Sequence, residues 1–362
     1  MNLSILDDFK EVVYSSAREE IRDLVEYNPG PMPEDVVRVS ANENNLGVSP
    51  LALAFMTKAL AQGNRYPDST CTTLRCKLAE LSGVLPDEVI VSNGLDGLFT
   101  MLGRAFLRKG DEVVTGELTF SVYADTASIM GAKNVLVPMR DDLSLDVEGF
   151  ISAINDKTKL VFFCNPNNPS GSFASIEDVV RIVEATPKST IFVLDEAYID
   201  FADECVESGI SLVKRFPNLL VCRTFSKLYG LAGLRVGWAV GNRELLRFLY
   251  KVREPYCVSY VATEGALGAL SDVSYAKKTY DTNKEERVKL ISALEGLQLE
   301  VFPSQTNFIF VFSDKAQKIR SALFEKGIVI RALSFRKKQA LRISVGLPCE
   351  NELLIKELRN IL

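Results

Sequence analysis

The 362-residue chain contains no histidine. That absence excludes Ser-His-Asp and Cys-His catalysis and removes both the commonest general base and a frequent metal ligand. The seven cysteines are odd in number and form no C-x-x-C pair, so zinc is not expected and the thiols are predicted to be reduced and mostly buried. A lysine is the nucleophile that remains.

Long apolar runs and dense basic tracts are also missing. No stretch of about 18 uncharged apolar residues occurs, and the N-terminus is acidic and amphipathic, unlike a secretion signal. A formal net charge of −5 without a Lys/Arg cluster argues against nucleic acid or an anionic membrane as a partner. We therefore expect a soluble, cytoplasmic protein that acts on small molecules.

From about residue 88 the chain alternates short β-branched runs with helical stretches. Continuously apolar runs such as KLVFFCN (159–165) predict strands that are covered on both faces. No G-x-G-x-x-G links a first strand to a helix, which argues against a Rossmann-type dehydrogenase. The pattern predicts an α/β fold with a mostly parallel sheet between helices.

After Pro255 the pattern changes to long helical stretches, followed by short strands and a terminal helix. This pattern of long helices followed by short strands is typical of a smaller α+β unit. We predict a large domain at 46–255 and a small domain formed by 1–45 together with 256–362.

Polar residues and one glycine follow the predicted strands where each strand ends. They are Asn93, Gly94, Asn165, Asp195, Ser226 and Lys227. Ligands of open α/β sheets bind beyond the carboxyl ends of the strands, so these residues are expected to converge on one crevice.

Lys227 lies in the run RTFSKLYGLAGLR (223–235), directly after an apolar strand. An aldehyde cofactor needs an amine to hold it, and a lysine that can lose its proton can also move protons at a substrate carbon. An isolated lysine would be a solvated surface residue. The position of Lys227 in a loop that contains glycines favours a role in anchoring a cofactor.

Six runs of the sequence together resemble a known family. In order they are ANENNLGVSP (41–50), RYPD (65–68), NPNNPSG (165–171), DEAYIDF (195–201), RTFSKLYGLAGLR (223–235) and VREPYCVS (252–259). They resemble the pyridoxal-phosphate (PLP) enzymes of the aspartate aminotransferase fold, and within it the histidinol-phosphate aminotransferases. The resemblance covers almost the whole chain and implies PLP-dependent transferase fold type I, PLP as cofactor, and transamination of histidinol phosphate with 2-oxoglutarate in histidine biosynthesis.

The resemblance implies that Lys227 holds the cofactor and that Asp195 pairs with its pyridine nitrogen. Such a pair, at about 4 Å and an effective dielectric near 20, is worth about 4 kcal/mol and keeps the ring protonated. Without its flanking residues Asp195 would be an ordinary turn or N-cap aspartate. Tyr198 and Asn165 resemble donors to the ring oxygen, although the run NPNNPSG is also typical of an ordinary turn. Phe120 resembles the aromatic residue that stacks on the ring, with a core phenylalanine as the alternative.

A phosphate dianion needs several fixed donors, and the start of a helix supplies backbone N–H groups. The turn Gly94-Leu95-Asp96 opens a predicted helix, although many family members have Ser-Asp-Glu after the glycine. Ser226 and Arg235 resemble the other phosphate ligands. Tyr66 resembles the tyrosine that reaches the phosphate from a neighbouring subunit, which implies a homodimer with shared active sites. A packing tyrosine is the alternative.

Substrate contacts are implied for Tyr27, Arg331 and Arg342. Strand alternation places Arg331 among apolar residues, where it needs an anion, a carboxylate partner or access to water. Alternation alone leaves Arg342 free to face solvent. The resemblance implies that both arginines hold the phosphate of the substrate, and that Arg342 also binds the carboxylate of 2-oxoglutarate or glutamate.

The chain departs from the family at Asn45, Leu46, Glu254 and Cys257. Because these positions adjoin motifs that shape the pocket, they are expected to widen it or to retune it toward other amines. Aromatic amino acids as substrates, or decarboxylation of threonine phosphate, are alternatives on the same fold. A non-catalytic ligand- or partner-binding protein is an alternative of another class, disfavoured by the complete set of site residues.

Overall fold

The computed structural model describes residues 3–22, 24–26, 33 and 35–362. The strands are β1 (Val37–Arg38), β2 (Val89–Asn93), β3 (Glu112–Gly116), β4 (Lys133–Val137), β5 (Thr158–Cys164), β6 (Ile191–Asp195), β7 (Leu219–Thr224), β8 (Val236–Gly241), β9 (Glu300–Val301), β10 (Phe308–Phe312), β11 (Ile328–Val329), β12 (Arg331–Phe335) and β13 (Lys338–Ser344). The helices are α1 (Leu3–Ser16), α2 (Glu19–Arg22), α3 (Pro50–Leu60), α4 (Thr72–Ser82), α5 (Gly94–Phe106), α6 (Val122–Ile129), α7 (Val147–Ala153), α8 (Ile176–Ala185), α9 (Arg243–Val252), α10 (Tyr260–Ser271), α11 (Val273–Gly296), α12 (Ala316–Glu325) and α13 (Pro348–Ile361).

The large sheet has seven strands in the order β2-β8-β7-β6-β5-β3-β4. Strands β3 to β7 pair in parallel, whereas β8 is antiparallel to both of its neighbours. Parallel neighbours need a crossover, which helices α6 to α8 provide between β3 and β6. Residues 225–235 between β7 and β8 form only a short loop, so the chain must turn back. The predicted α/β class with a mostly parallel sheet is confirmed.

Alternate residues of the strands fill two separate apolar layers. In β5, Val161 and Phe163 pack in the layer on one face, whereas Leu160 and Phe162 pack in the layer on the other. This is the side-chain period of two expected for a strand, with helices covering both faces. The continuous apolar runs of the sequence follow from this double coverage.

A smaller antiparallel sheet has the order β12-β13-β10-β9. Ile309 and Ile343 on one face pack with residues of helices α11 to α13, while Phe310 and Phe312 on the other face join an apolar layer of the large sheet. The run GIVIRAL (327–333), which contains Arg331, is divided between two sheets. Its first part, β11, pairs with β1, and its second part, β12, pairs with β13.

The predicted domain boundary near residue 255 stays a prediction, and the packing of α10 bears on it. This helix lies beyond the boundary, yet its residues Ala262, Ala266 and Ala269 are buried in an apolar layer of the large sheet. A Cβ added to Gly268 would lie 2.7 Å from the Cα of Ala52 in α3, so the two helices touch backbone to backbone. Helix α10 therefore packs with the large sheet.

None of the helices in the described part of the chain is long and apolar enough to cross a membrane.

Candidate active site

A cavity of about 360 Å³ opens at the carboxyl ends of the parallel strands, beside the β12–β13 hairpin. Most of the predicted site residues line it, as expected for an open α/β sheet. Those that do are Leu95, Asp96, Phe120, Asp195, Tyr198, Ser226, Lys227, Arg235, Arg331 and Arg342.

Lys227 stands in the loop that reverses the chain after β7. Its Nζ donates a hydrogen bond to the Ala41 carbonyl oxygen at 3.2 Å and lies 5.6 Å from the centroid of the Tyr198 ring. Burial, followed by the charge of Arg342, lowers the pKa of Lys227 from 10.5 to about 8. At pH 7 this shift makes the neutral amine about 300-fold more abundant. Lys227 is thus poised both to attack a carbonyl and to exchange a proton.

Asp195 is the last residue of β6 and is 2% exposed. Its Oδ1 accepts the Ala197 N–H at 2.9 Å, and its Oδ2 accepts the hydroxyl of Tyr123 at 2.5 Å. Burial raises the pKa of Asp195 to about 6 despite these two donors. The cavity therefore holds an oriented carboxylate in apolar surroundings, suited to pair with a cationic ring nitrogen. Sequence reasoning missed Tyr123, since nothing local links it to Asp195.

The opposite end of the cavity is built to receive an anion. Helix α5 begins at Gly94, and Asn93 makes no side-chain cap, so amides of the first turn have no capping side chain. Gly94 does not line the cavity; its φ is +67°, and a Cβ there would lie 2.5 Å from Nη2 of Arg235. Arg235 donates to Asp96 Oδ2 at 2.9 Å and to Ser226 Oγ at 3.5 Å. A phosphate fits this set of donors.

Asn165 is not brought to the cavity, which corrects the prediction from the sequence. Its Nδ2 donates to the Ala174 carbonyl at 3.0 Å and its Oδ1 accepts the Ala174 N–H at 2.9 Å, so the side chain closes the turn. Asn168, three residues later, lines the cavity, and its Oδ1 accepts from Nη1 of Arg342 at 2.8 Å. Of the asparagines of NPNNPSG, the structure thus brings Asn168 and not Asn165 to the lining of the cavity.

Tyr198 is held by Asn42, a side chain that is not among the site residues predicted from the sequence. Asn42 donates from Nδ2 to the Tyr198 hydroxyl at 3.0 Å, and its own Oδ1 accepts the hydroxyl of Ser344 at 3.0 Å. Burial raises the pKa of Tyr198, so the hydroxyl keeps its proton and remains a donor. The run ANENN pointed to this segment but not to the role of Asn42.

Arg331 and Arg342 are cross-strand partners in the β12–β13 hairpin and line the same cavity. Arg342 also donates to the Ser40 carbonyl at 2.7 Å, so it does not face solvent as alternation alone would allow. Within the described residues no carboxylate pairs with Arg331. Two neighbouring guanidinium groups on one face of a hairpin form a site for an anion.

Other predicted residues lie elsewhere. Tyr66 is 83% exposed, stacks on Tyr256 with ring centroids 4.6 Å apart, and does not line the cavity of its own chain. Tyr27 lies outside the described residues. Among the departures from the family, Asn45 donates to Glu350 at 2.6 Å and Glu254 forms an exposed ion pair with Arg104.

None of Asn45, Leu46, Glu254 and Cys257 lines the cavity. No direct contact within one chain links these four positions to the cavity, and their effect on it stays a prediction.

The lowered pKa of Lys227 predicts an unusual pH dependence of its reactivity. In cofactor-free protein, reductive methylation of Lys227, followed by mass spectrometry, should rise with a midpoint near pH 8, because only the neutral amine reacts. Arg342→Gln should move the midpoint upward because it removes a nearby positive charge, whereas Arg320→Gln, on an exposed part of α12, should leave it unchanged. A wild-type midpoint near 10.5 would contradict the assignment.

The two asparagines predict separable defects. Asn165→Ala leaves two buried backbone groups of the turn without partners and should lower the free energy of unfolding by about 1–3 kcal/mol. Asn168→Ala removes a cavity group and should weaken PLP binding about tenfold while changing the unfolding free energy by less than about 1 kcal/mol. Urea unfolding of cofactor-free protein and PLP titration measure both. The reverse pattern would restore the assignment of Asn165.

Comparison with known proteins places the chain in a family. Residues 34–358 match the family model for aminotransferase class I and II. The histidinol-phosphate aminotransferase of Maricaulis maris (strain MCS10) is 38% identical over 352 residues, which cover 94% of this chain and 97% of that protein.

Two solved structures are similar over nearly their full length. The histidinol-phosphate aminotransferase from Sinorhizobium meliloti, in complex with pyridoxal-5'-phosphate, is 29% identical with a TM-score of 0.87, covering 96% of this chain and 100% of that chain. L-threonine-O-3-phosphate decarboxylase from Porphyromonas gingivalis is 26% identical with a TM-score of 0.79, covering 90% and 99%. The chain belongs to the aminotransferase class I and II family, in its histidinol-phosphate aminotransferase group.

Proposed function

We propose that the protein is a PLP-dependent aminotransferase that converts histidinol phosphate and 2-oxoglutarate to imidazole acetol phosphate and glutamate, a step of histidine biosynthesis. The observation that carries this proposal is the cavity itself. It places the Lys227 amine and the buried Asp195 carboxylate together with the arginine pair Arg331 and Arg342. One cavity therefore contains one set of groups for the chemistry and another set that can bind an anionic substrate.

The residues of the cavity fit PLP. Ser226, Arg235 and the amides of Leu95 and Asp96 would hold its phosphate, and Lys227 its aldehyde carbon. Asp195 would pair with the ring nitrogen, and Phe120 would cover a ring face. Tyr198 and Asn168 would reach the ring oxygen, with Asn168 in the role that the resemblance gives to Asn165. When bound, PLP supplies an electron-withdrawing ring that stabilises negative charge at the substrate carbon.

Lys227 would move the proton at the substrate carbon. Its Nζ, with a pKa of about 8, is basic enough to take a proton from the substrate carbon and acidic enough to return it at neutral pH. Asp195 would balance positive charge on the ring nitrogen. The Tyr198 hydroxyl, fixed by Asn42, donates a hydrogen bond and does not itself ionise.

The charges of the cavity favour anionic substrates. Four cationic side chains line it, against two carboxylates; they are Lys227, Arg235, Arg331 and Arg342 against Asp96 and Asp195. Arg235 pairs with Asp96, and the other two arginines of the cavity, Arg331 and Arg342, are the groups proposed to hold the substrate. They would bind the phosphate of the amine in one half-reaction and a carboxylate of the 2-oxo acid in the other.

The same proposal includes a cytoplasmic homodimer with shared sites. Tyr66 is exposed and does not line the cavity of its own chain, as required of a residue that serves a partner's site. All seven cysteines are unpaired, as in proteins of a reducing compartment.

An amine panel tests the reaction. Histidinol phosphate added alone should change the absorbance of bound PLP stoichiometrically, and 2-oxoglutarate should restore it. Arg331→Gln should raise KM for histidinol phosphate about 10- to 100-fold, because a charge-assisted hydrogen bond is lost, whereas the exposed Arg320→Gln should not.

Other outcomes of the panel would name other functions. Release of carbon dioxide from threonine phosphate would identify a decarboxylase, and a response to aromatic amino acids alone would identify an aromatic aminotransferase. Failure of PLP to bind would favour the non-catalytic alternative.

Subunit complementation tests the shared sites. Tyr66→Ala and Lys227→Ala homodimers should each be impaired, because every site lacks one contribution. After unfolding and refolding together, random pairing should restore up to about a quarter of the native sites, since half of the dimers are mixed and each mixed dimer has one intact site. Lack of any recovery, with mixed dimers shown by mass spectrometry, would contradict shared sites.

A further inference from the structure

Tyr123 is a buried tyrosine that does not line the cavity but contacts a group that does. It is the second residue of α6, is 0% exposed, and donates its hydroxyl to Oδ2 of Asp195 at 2.5 Å. The Ala197 N–H occupies Oδ1 at 2.9 Å. Each carboxylate oxygen thus has one protein donor, and each retains a lone pair for a ligand.

The Tyr123 ring is fixed by aromatic packing on several sides. It stacks on Phe162 with centroids 4.6 Å apart and an interplanar angle of 8°, and it meets Phe99 edge-on at 5.2 Å. Phe120, which lines the cavity, rests edge-on against it at 5.6 Å. The hydroxyl therefore has one position, and the same ring supports both Asp195 and Phe120.

The surroundings of Asp195 make this donor important. The titratable groups that interact with Asp195 from the neighbouring elements are Asp96 on α5, Tyr123 on α6, Cys164 on β5, Glu196 and Tyr198 after β6, and Cys222 on β7. Burial, Asp96 and Glu196 raise the pKa of Asp195, whereas the Tyr123 hydroxyl and the Ala197 N–H lower it. Burial raises the pKa of Tyr123 well above its usual value, so Tyr123 stays protonated and donates throughout the working range.

We propose that Tyr123 is a positioning residue for Asp195: its hydroxyl keeps the carboxylate ionised and directed into the cavity, so that Asp195 pairs with a protonated ring nitrogen. The inference rests on the proposed function, because PLP is the partner of Asp195. A tyrosine with only a structural role could make the same hydrogen bond. Removal of its hydroxyl, however, would not change how the affinity for PLP depends on pH.

Tyr123→Phe tests the inference, since it removes one oxygen and keeps the ring. PLP affinity, measured by equilibrium dialysis across pH without substrate, should fall about 10- to 100-fold near neutral pH. The acidic limb of the affinity profile should also move to higher pH. Loss of a donor to the charged form raises the pKa of Asp195, so its charge is lost at a higher pH.

Matched controls separate positioning from packing. In an Asp195→Asn background, Tyr123→Phe should change PLP affinity less than about twofold, because the ionised partner is already gone. Tyr250→Phe deletes a hydroxyl that donates to the Val89 carbonyl at 3.4 Å, outside the cavity, and should leave the affinity profile unchanged. Tyr123→Met, a second variant without a donor, should shift the profile in the same direction as Tyr123→Phe.

The outcomes distinguish this inference from the proposed function. If the wild-type protein binds PLP and the variants at Tyr123 bind it with the same pH profile, the inference is overturned and the function stands. If Tyr123→Phe has an equal effect with and without Asp195, Tyr123 acts through packing and the inference also fails. A wild-type protein that does not bind PLP would overturn the proposed function, and this inference with it.

Discussion

The site depends on the direction of the strands in the large sheet. Because β3, β5, β6 and β7 run parallel, their carboxyl ends meet at one edge, and side chains distant in sequence meet there too. The short connection after β7 then forces β8 to run backwards, and that connection carries Lys227.

Burial acts on the acid and the amine of the site in opposite directions. It raises the pKa of Asp195 to about 6 and lowers that of Lys227 to about 8, so both pKa values lie close to neutral pH. Each group has a fixed hydrogen-bond partner, Tyr123 for the carboxylate and the Ala41 carbonyl for the amine. The cavity thus combines a low dielectric with a defined geometry, a combination that proton transfer at carbon requires.

The side of the cavity that carries Arg331 and Arg342 belongs to a different sheet and is tied to the first by polar contacts. Arg336, at the tip of the β12–β13 hairpin, pairs with Glu117 at 2.6 Å, and Arg342 bonds to Asn168. The Arg336 pair is partly exposed and contributes little to stability. Its effect is to orient the hairpin that carries Arg331 and Arg342 relative to the loops after β3 and β5.

The sequence by itself determined the fold class and the family, and it singled out Lys227 and Asp195 as residues at strand ends, because strand periodicity and contiguous motifs are local properties of the chain. Only the tertiary structure decided which asparagine of NPNNPSG enters the cavity, that GIVIRAL divides between two sheets, and that Arg331 and Arg342 share a face. It also brought Tyr123 to Asp195, residues 72 positions apart. These outcomes depend on strand register and on packing between distant elements, which no local spacing specifies.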